Sequence, residues 1–166
     1  MDVFERLYRE NALFIKYYIL NMCGCIHTSE DIVQEAFYKT ILYINRYEKA
    51  QINRQWLIKT AHNTFIDYCR KRKNESDSVS FEALAEINNL SKAMGIYAKS
   101  HENRIIVNKL ISELPVRYRT VILLKDHYGF TINEIAGILG YSESNVKVVL
   151  HRARKYFREE YSKYEE

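Results

Sequence analysis

Gly140 separates two stretches of helical apolar spacing, and this arrangement constrains the fold more than any other feature of the chain. Ile132, Ile135, Ala136 and Leu139 fall at i, i+3, i+4 and i+7, the spacing of one buried helical face. Val146, Val149, Leu150 and Ala153 repeat the pattern after the break. Gly140 supplies the left-handed residue that ends the first helix, and Ser142 can N-cap the second. Two short amphipathic helices joined by a tight glycine turn make a helix-turn-helix, whose second helix enters the major groove. Its outward residues are Ser144, Asn145, Lys147, Val148, His151, Arg152 and Lys155, a mixture suited to phosphates and base edges. A plain helical hairpin with a basic outer face carries the same pattern, and this stretch alone leaves that alternative open.

The rest of the chain reads as helical too. One proline and five glycines in 166 residues leave little material for hairpin turns. The expected fold is all-α: two small helical domains joined by a flexible linker, the second containing the helix-turn-helix. The formal net charge is only +4, so nucleic-acid-binding surfaces should be local. No apolar run reaches the length of a membrane span and no export leader is visible, which leads us to expect a cytoplasmic protein. Three cysteines, an odd number, fit free thiols in a reducing compartment. Cys23-Gly24-Cys25-Ile26-His27 looks like a fragment of a zinc site but lacks a fourth ligand at zinc spacing, and Cys69 and His62 qualify only if the fold brings them close. The expectation is no metal and no cofactor.

In chain order, Phe4 to Met22 is helical, with Leu7, Phe14, Ile15, Tyr18, Ile19 and Met22 as its apolar stripe and Gly24 as its end. A second helix is expected from about Ser29 to Arg46, with Thr28 and Asp31 fitting a capping box. Ile32, Val33, Ala36, Phe37, Ile41 and Ile44 face inward, while Asp31, Gln34, Glu35 and Tyr38 share the opposite face. That acidic-polar ridge is either a solvated face or a docking ridge for a basic partner. A polar loop from Tyr47 to Asn53 precedes a third helix from Arg54 to Arg72, with Leu57, Ala61, Phe65 and Tyr68 as its core stripe. Trp56, Thr60, Asn63 and Asp67 lie on another face, and Arg70-Lys71-Arg72-Lys73 follows. An aromatic beside an amide, then a basic run, suits a single strand of nucleic acid; equally, Trp56 can be core and the run a frayed helix end. Residues 74–100 are Ser/Asn-rich with weak periodicity at Phe81, Leu84 and Ile87, and read as a linker with one short helix. His101 to Leu114 restarts a helix, Pro115 opens the next, and Gly129 stops it. The tail from Phe157 reads as a mixed-charge helix that frays. No Gly-rich phosphate loop, nucleophile spacing or carboxylate pair asks for catalysis.

Two separated stretches share a resemblance. Ser29-Glu30-Asp31-Ile32-Val33-Gln34-Glu35-Ala36-Phe37 resembles a signature of bacterial RNA polymerase sigma factors, and Trp56 to Thr64 with Asp67 to Arg72 resembles their promoter-melting helix. Leu114-Pro115-Val116-Arg117-Tyr118-Arg119 and the helix-turn-helix, closing with His151-Arg152-Ala153-Arg154-Lys155, resemble their upstream-element reader. The match covers nearly the whole chain except the linker, in order, and two sigma domains with a short linker is the architecture of the extracytoplasmic-function (ECF) group. The expected division is residues 1–73, a linker at 74–103, and residues 104–166.

The resemblance implies roles. Asp31, Gln34 and Glu35 match positions that face a coiled coil of core RNA polymerase. Asn63 matches an asparagine lining the pocket for a flipped base of the −10 element; the loop from Tyr47, with Lys49, matches the base-capturing loop, bordered by Trp56, and Arg70, Lys71 and Arg72 complete the −10 surface. Asn145, Lys147, Val148, His151, Arg152 and Lys155 face the −35 element. Implied partners are core RNA polymerase, promoter DNA (duplex at −35, a melted strand at −10) and, by analogy, an anti-sigma factor. The chain departs from the family at Val148 and Val149, where a serine and an arginine are common, and at the Cys23-Gly24-Cys25 turn. Val148 could meet a thymine methyl, and Val149 gives up a basic residue. Two other classes compete: a stand-alone dimeric helix-turn-helix repressor or activator, which needs neither the ridge nor the Asn63 pocket, and a nucleic-acid-processing enzyme, for which no metal-binding carboxylate cluster can be assembled.

Overall fold

The computed structural model describes residues 2–47, 51–72, 78–95 and 101–165. Among these the chain is entirely helical: α1 (Val3–Cys23), α2 (Ile26–Arg46), α3 (Arg54–Lys71), α4 (Phe81–Ala93), α5 (His101–Glu113), α6 (Val116–Ile122) running into a π-helical turn (Leu123–His127), α7 (Ile132–Leu139) and α8 (Glu143–Ser162). The helix ends follow from side chains that satisfy the orphan N–H groups of a first turn. The Oδ1 of Asn53 accepts from the backbone N–H of Trp56 at 2.8 Å, and Ser80 serves Ala83 at 3.1 Å. Thr131 and Glu134 close a capping box on α7, each accepting from the other's backbone N–H at 3.1 Å.

α1 is the central element. It packs on α2 and α3 and also contacts α4 and α6. All six residues of its expected stripe are buried, and so are Tyr17 and Leu20. A helix covered on several sides must be apolar around more of its circumference than an amphipathic stripe provides. One core cluster runs without interruption from Phe14 on α1 through Leu57 and Phe65 on α3 to Ile135 and Val149 of the helix-turn-helix. The two halves of the chain therefore share a core.

Hydrogen bonds stitch α1 to the C-terminal half. The Tyr17 hydroxyl donates to the Asn108 Oδ1 at 3.0 Å, the Tyr128 hydroxyl donates to the Phe14 carbonyl at 2.7 Å, and the Arg119 Nη1 donates to the Asn21 carbonyl at 2.7 Å. Asn108 also donates from its Nδ2 to Asn88 Oδ1 and Ser91 Oγ, both at 2.9 Å, so one buried amide joins α1, α4 and α5. The π-helical turn, with its Tyr128 N–H to Leu123 carbonyl bond of 3.0 Å, inserts an extra residue and brings His127 and Tyr128 against α1. His127 stacks on Tyr17 with ring centroids 6.1 Å apart.

Several expectations are corrected at the level of residues. α2 begins at Ile26, so Thr28 lies inside the helix; its hydroxyl sits 3.4 Å from that of Tyr68 and caps nothing. The linker carries α4, the one short helix expected there, and Ile87 is buried as expected, but Leu84 is only half-buried, Phe81 is 84% exposed, and Ala83, Leu90 and Ser91 complete the inward face. Weak periodicity with one large ring at the first turn misassigned the face. Ile138, absent from the expected α7 stripe, is buried, whereas Ile132 and Leu139 are half-buried. The tail does not fray at Phe157. α8 continues to Ser162 because Phe157 packs against Leu114, Ile122 and Ala153.

The passage from α1 to α2 turns on Gly24, at φ 69°. A Cβ there would lie 2.7 Å from the Ser78 carbonyl oxygen and 2.9 Å from the Val79 Cα, and the Ser80 N–H donates to the Gly24 carbonyl at 2.9 Å. Both the left-handed backbone and the crossing chain demand glycine.

Candidate nucleic-acid interface

α2 holds its ridge outward because Ile32, Val33, Ala36 and Phe37 are anchored in the core. Asp31, Gln34, Glu35 and Tyr38 are all exposed. Glu35 pairs with Lys39 at 3.5 Å, an exposed i,i+4 contact worth little. Ile41 and Ile44, expected inside, are only half-buried. Gln34 and Tyr38 border a groove of about 670 Å³ between α1, α2 and α4, floored by Leu20, Val33, Phe37 and Leu90.

α3 carries the second candidate surface. Leu57, Ala61 and Phe65 are buried as expected, with Ile58, His62 and Thr64 beside them. Asn63, Arg70, Lys71 and Arg72 are exposed, and Trp56 is half-buried and packs against the core. Trp56 packs against the core, and its ring centroid lies 4.8 Å from that of Tyr43. The Arg72 guanidinium lies 5.0 Å from the Tyr68 ring centroid and Arg70 is 3.8 Å from Asp67. Tyr47 is exposed, and Lys49 and Lys73 lie outside the described residues.

His62 is buried, and its Nδ1 shares a 2.8 Å hydrogen bond with the Tyr18 hydroxyl. Burial pushes its imidazole down to about 4, so it stays neutral in the core. Burial likewise pushes the Cys23 thiol up to about 11. The three cysteines form no disulfide, and among the described residues no group of three or more His, Cys, Asp or Glu is placed to hold a metal.

α7 and α8 form the helix-turn-helix. Gly140, at φ 70°, donates to the Ala136 carbonyl at 2.9 Å, and the Ser142 Oγ accepts from the Asn145 N–H at 3.1 Å. Val146, Val149, Leu150 and Ala153 are all buried. On the opposite face Lys147, Val148, His151, Arg152 and Lys155 are exposed, with Val148 at 45%. Asn145 is half-buried and accepts from the Arg117 Nη2 at 3.0 Å. Val149 is 1% exposed, so its departure from the family pattern alters the core and leaves the outer face unchanged. Arg154 pairs with Asp126 through both carboxylate oxygens, 3.1 Å for the Nε contact, and this hydrogen bond holds its guanidinium above the usual range. The clamp fixes α8 against the π-helical turn.

Arg119 carries weight that the sequence reading did not assign. Its side chain is buried; it donates to the carbonyls of Ile111, Ser112 and Leu114, at 3.2, 3.0 and 2.9 Å, besides that of Asn21. These groups lie at the C-terminal ends of α5 and α1, neither of which has a basic residue in its own last turn. Each helix C-terminus carries about half a negative charge, so two of them roughly balance one guanidinium.

The comparisons with known proteins agree with this geometry. Residues 7–75 match the family model "Sigma-70 region 2" and residues 104–157 match "Sigma-70, region 4". The ECF RNA polymerase sigma factor SigM of Bacillus subtilis is 31% identical over 159 residues, covering 96% of this chain and 95% of that protein. SigW of the same organism is 33% identical over 150 residues, 84% of this chain and 78% of that one. In fold, the chain is similar to the sigma factor RpoE of Bartonella quintana in complex with the anti-sigma factor NepR, with a TM-score of 0.69 at 18% identity and 94% of each chain covered. It is also similar to CnrH in complex with the cytosolic domain of CnrY, with a TM-score of 0.64 at 19% identity, 96% of this chain and 87% of that one. With regions 2 and 4 matched in order and one relative 31% identical along nearly its full length, the chain belongs to the sigma-70 family of RNA polymerase sigma factors, in its ECF group.

Proposed function

We propose that this sigma factor joins core RNA polymerase through the α2 ridge, Asp31, Gln34 and Glu35. It captures the melted −10 strand with Tyr47, Lys49, Trp56, Asn63, Arg70, Lys71 and Arg72. It reads the −35 duplex with Asn145, Lys147, Val148, His151, Arg152 and Lys155. Residues 1–73 serve polymerase and the −10 element, 104–166 serve the −35 element, and 74–103 join them. The protein acts in the cytoplasm and performs no catalysis itself; the polymerase supplies the chemistry. The observation that carries this reading is the division of α8: one face wholly buried, and the other presenting Lys147, Val148, His151 and Arg152 to solvent.

The packing of the two halves adds a mechanical step. A compact chain of this length is roughly 40 Å across, from the usual scaling of radius with residue number. Two promoter elements about two helical turns apart lie on the order of 70 Å from each other along the duplex. The closed arrangement cannot reach both, so the halves part when the promoter is read. Polymerase, which binds each half separately, supplies the free energy of opening. A chain held closed is one that an anti-sigma factor can sequester; the similar RpoE structure is a complex with the anti-sigma factor NepR.

The test offers purified protein a pool of genomic fragments with and without core polymerase, reading gel shifts and transcripts. Specific binding and transcripts only with core, both lost in Glu35→Lys, support the proposal. A palindromic duplex shifted by the protein alone, with core adding nothing, refutes it in favour of a stand-alone regulator.

A further inference from the structure

α8 is held at its start by a side chain from outside the helix-turn-helix. Arg117, in the first turn of α6, donates from its Nη2 to the Asn145 Oδ1 at 3.0 Å, and the Ser142 Oγ accepts from the Asn145 backbone N–H at 3.1 Å. The Arg117 guanidinium lies 5.9 Å from the Tyr141 ring centroid, within the range of a cation over an aromatic face. Asn145 is therefore fixed at its backbone and at its side chain. A guanidinium has donors only, so the amide atom that faces it must be the oxygen. The Asn145 Nδ2 is left to the other side: it reaches no acceptor of the chain among the described residues, and it is open to solvent.

Stability does not account for this pair. Arg117 is exposed, so the core does not require it. Asn145 is the third residue of α8, so the guanidinium stands at the N-terminus of a long helix, where a cation is disfavoured. The Glu143 carboxylate in the same turn is engaged elsewhere, accepting from the Asn133 Nδ2 at 2.9 Å. A phosphate of the duplex relieves the repulsion, since one guanidinium has donors to spare beyond the one given to Asn145.

The fixed amide decides what α8 reads at that point. The N-terminal residues of a recognition helix contact base edges. An asparagine with both ends of its amide available pairs with adenine, accepting from N6 and donating to N7. Asn145 has its acceptor engaged and offers only hydrogens. In the major groove guanine presents two acceptors, thymine one beside a methyl group, adenine one beside a donor, and cytosine a donor. Two acceptors and no donor match Asn145 best. We propose that Arg117 is a specificity-determining residue for the −35 duplex: acting through Asn145 as a positioning residue, it makes that amide a donor-only reader of guanine in place of the two-bonded reader of adenine that an unrestrained asparagine would be. This rests on the sigma-factor reading above and deepens it.

The experiment uses holoenzyme and a promoter fragment that wild-type holoenzyme has captured from genomic DNA. Each base pair of its −35 element is varied in turn, and run-off transcripts are measured. Asn145→Ala locates the base pair, because preference should flatten at that position alone. There the wild type should favour G·C over A·T, with guanine on the strand that Asn145 faces, by about fivefold or more. Arg117→Met keeps an apolar stem but has no donor, so the amide is released; the ratio of G·C to A·T should fall to about one or invert. Asn145→Asp keeps a partner for Arg117 but has no hydrogen to give, so the preference should move to C·G at the same position, where a carboxylate accepts from cytosine N4. Transcripts lowered alike at every position in Arg117→Met, with the ratio unchanged, would reveal a phosphate contact only and overturn the proposal. A wild-type preference for any base but guanine there, an Asn145→Asp variant that still favours G·C, or an Asn145→Ala variant that flattens no position also overturns it. Wild-type protein that fails to direct core to any fragment refutes the sigma-factor reading itself, a result separable from the others.

Discussion

Replacing Arg119 by methionine tests whether one buried cation holds the two halves together. Four carbonyl groups, on Asn21, Ile111, Ser112 and Leu114, accept from this guanidinium. Methionine fills much of the volume but donates nothing. A hydrogen bond to a charged group contributes about 1.5–3 kcal/mol, and a buried carbonyl left without a donor costs about 1–3 kcal/mol. Against this, the variant no longer keeps a cation out of water, which returns several kcal/mol. The net loss should be about 4 kcal/mol, at the upper end of single substitutions. Arg119→Lys keeps the charge but cannot reach four acceptors in a fan, and should lose about half as much. The assay is urea unfolding followed by the fluorescence of Trp56, the only tryptophan, and by circular dichroism. In the wild type both signals should move together, because one core cluster spans both halves. In Arg119→Met they should separate, since the bond from α6 to α1 is among those lost. A loss under about 1 kcal/mol with coincident transitions would refute the argument and show that the desolvation of the guanidinium cancels its bonds.

Two further outcomes are expected. His62 is held neutral by burial with its pKa lowered to about 4, so the unfolded chain binds more protons than the folded one between there and the ordinary histidine value. Stability is full above about pH 6.5 and falls as pH drops toward 4; at pH 5 His62 should account for about 2 kcal/mol of the loss relative to pH 7, His127, which burial likewise lowers to about 4, for a similar share, and His62→Gln should remove the first share alone. A urea midpoint equally pH-dependent in the variant would refute it. Cysteines placed at Gln55 and Gly137, where a Cβ on residue 137 would lie 3.6 Å from the Gln55 amide, allow α3 and α7 to be joined by a short reducible cross-linker in a background with Cys23, Cys25 and Cys69 replaced by serine. The cross-linked holoenzyme should give at least about tenfold fewer promoter transcripts and regain them on reduction, because the closed chain is too short for both elements. Full activity while cross-linked would refute the opening step.

The all-helical fold, the helix-turn-helix with its Gly140 turn and Ser142 cap, and the outward face of α8 were legible in the sequence. Each depends on periodicity and capping within a few residues, and local rules decide them. The α2 ridge was legible for the same reason: four core residues at helical spacing leave one face outside. What the tertiary structure decided depends on groups far apart in the chain. Arg119 meets Asn21 across 98 residues, Tyr17 meets Asn108 across 91, and Tyr18 meets His62 across 44. A buried arginine, asparagine or histidine looks like a surface residue in the sequence, because what makes its burial tolerable is a partner that no local pattern names. The same holds for the face of α4, where Phe81 was expected inside with Ile87 and packing chose Ala83 and Leu90 beside Ile87 instead, and for the Tyr47–Tyr43–Trp56 ring cluster, where the end of one helix meets the start of the next. The sequence determined which helices form and which faces they offer; the fold decided that the two halves close on α1, since only contacts between distant residues can set that arrangement against chain entropy.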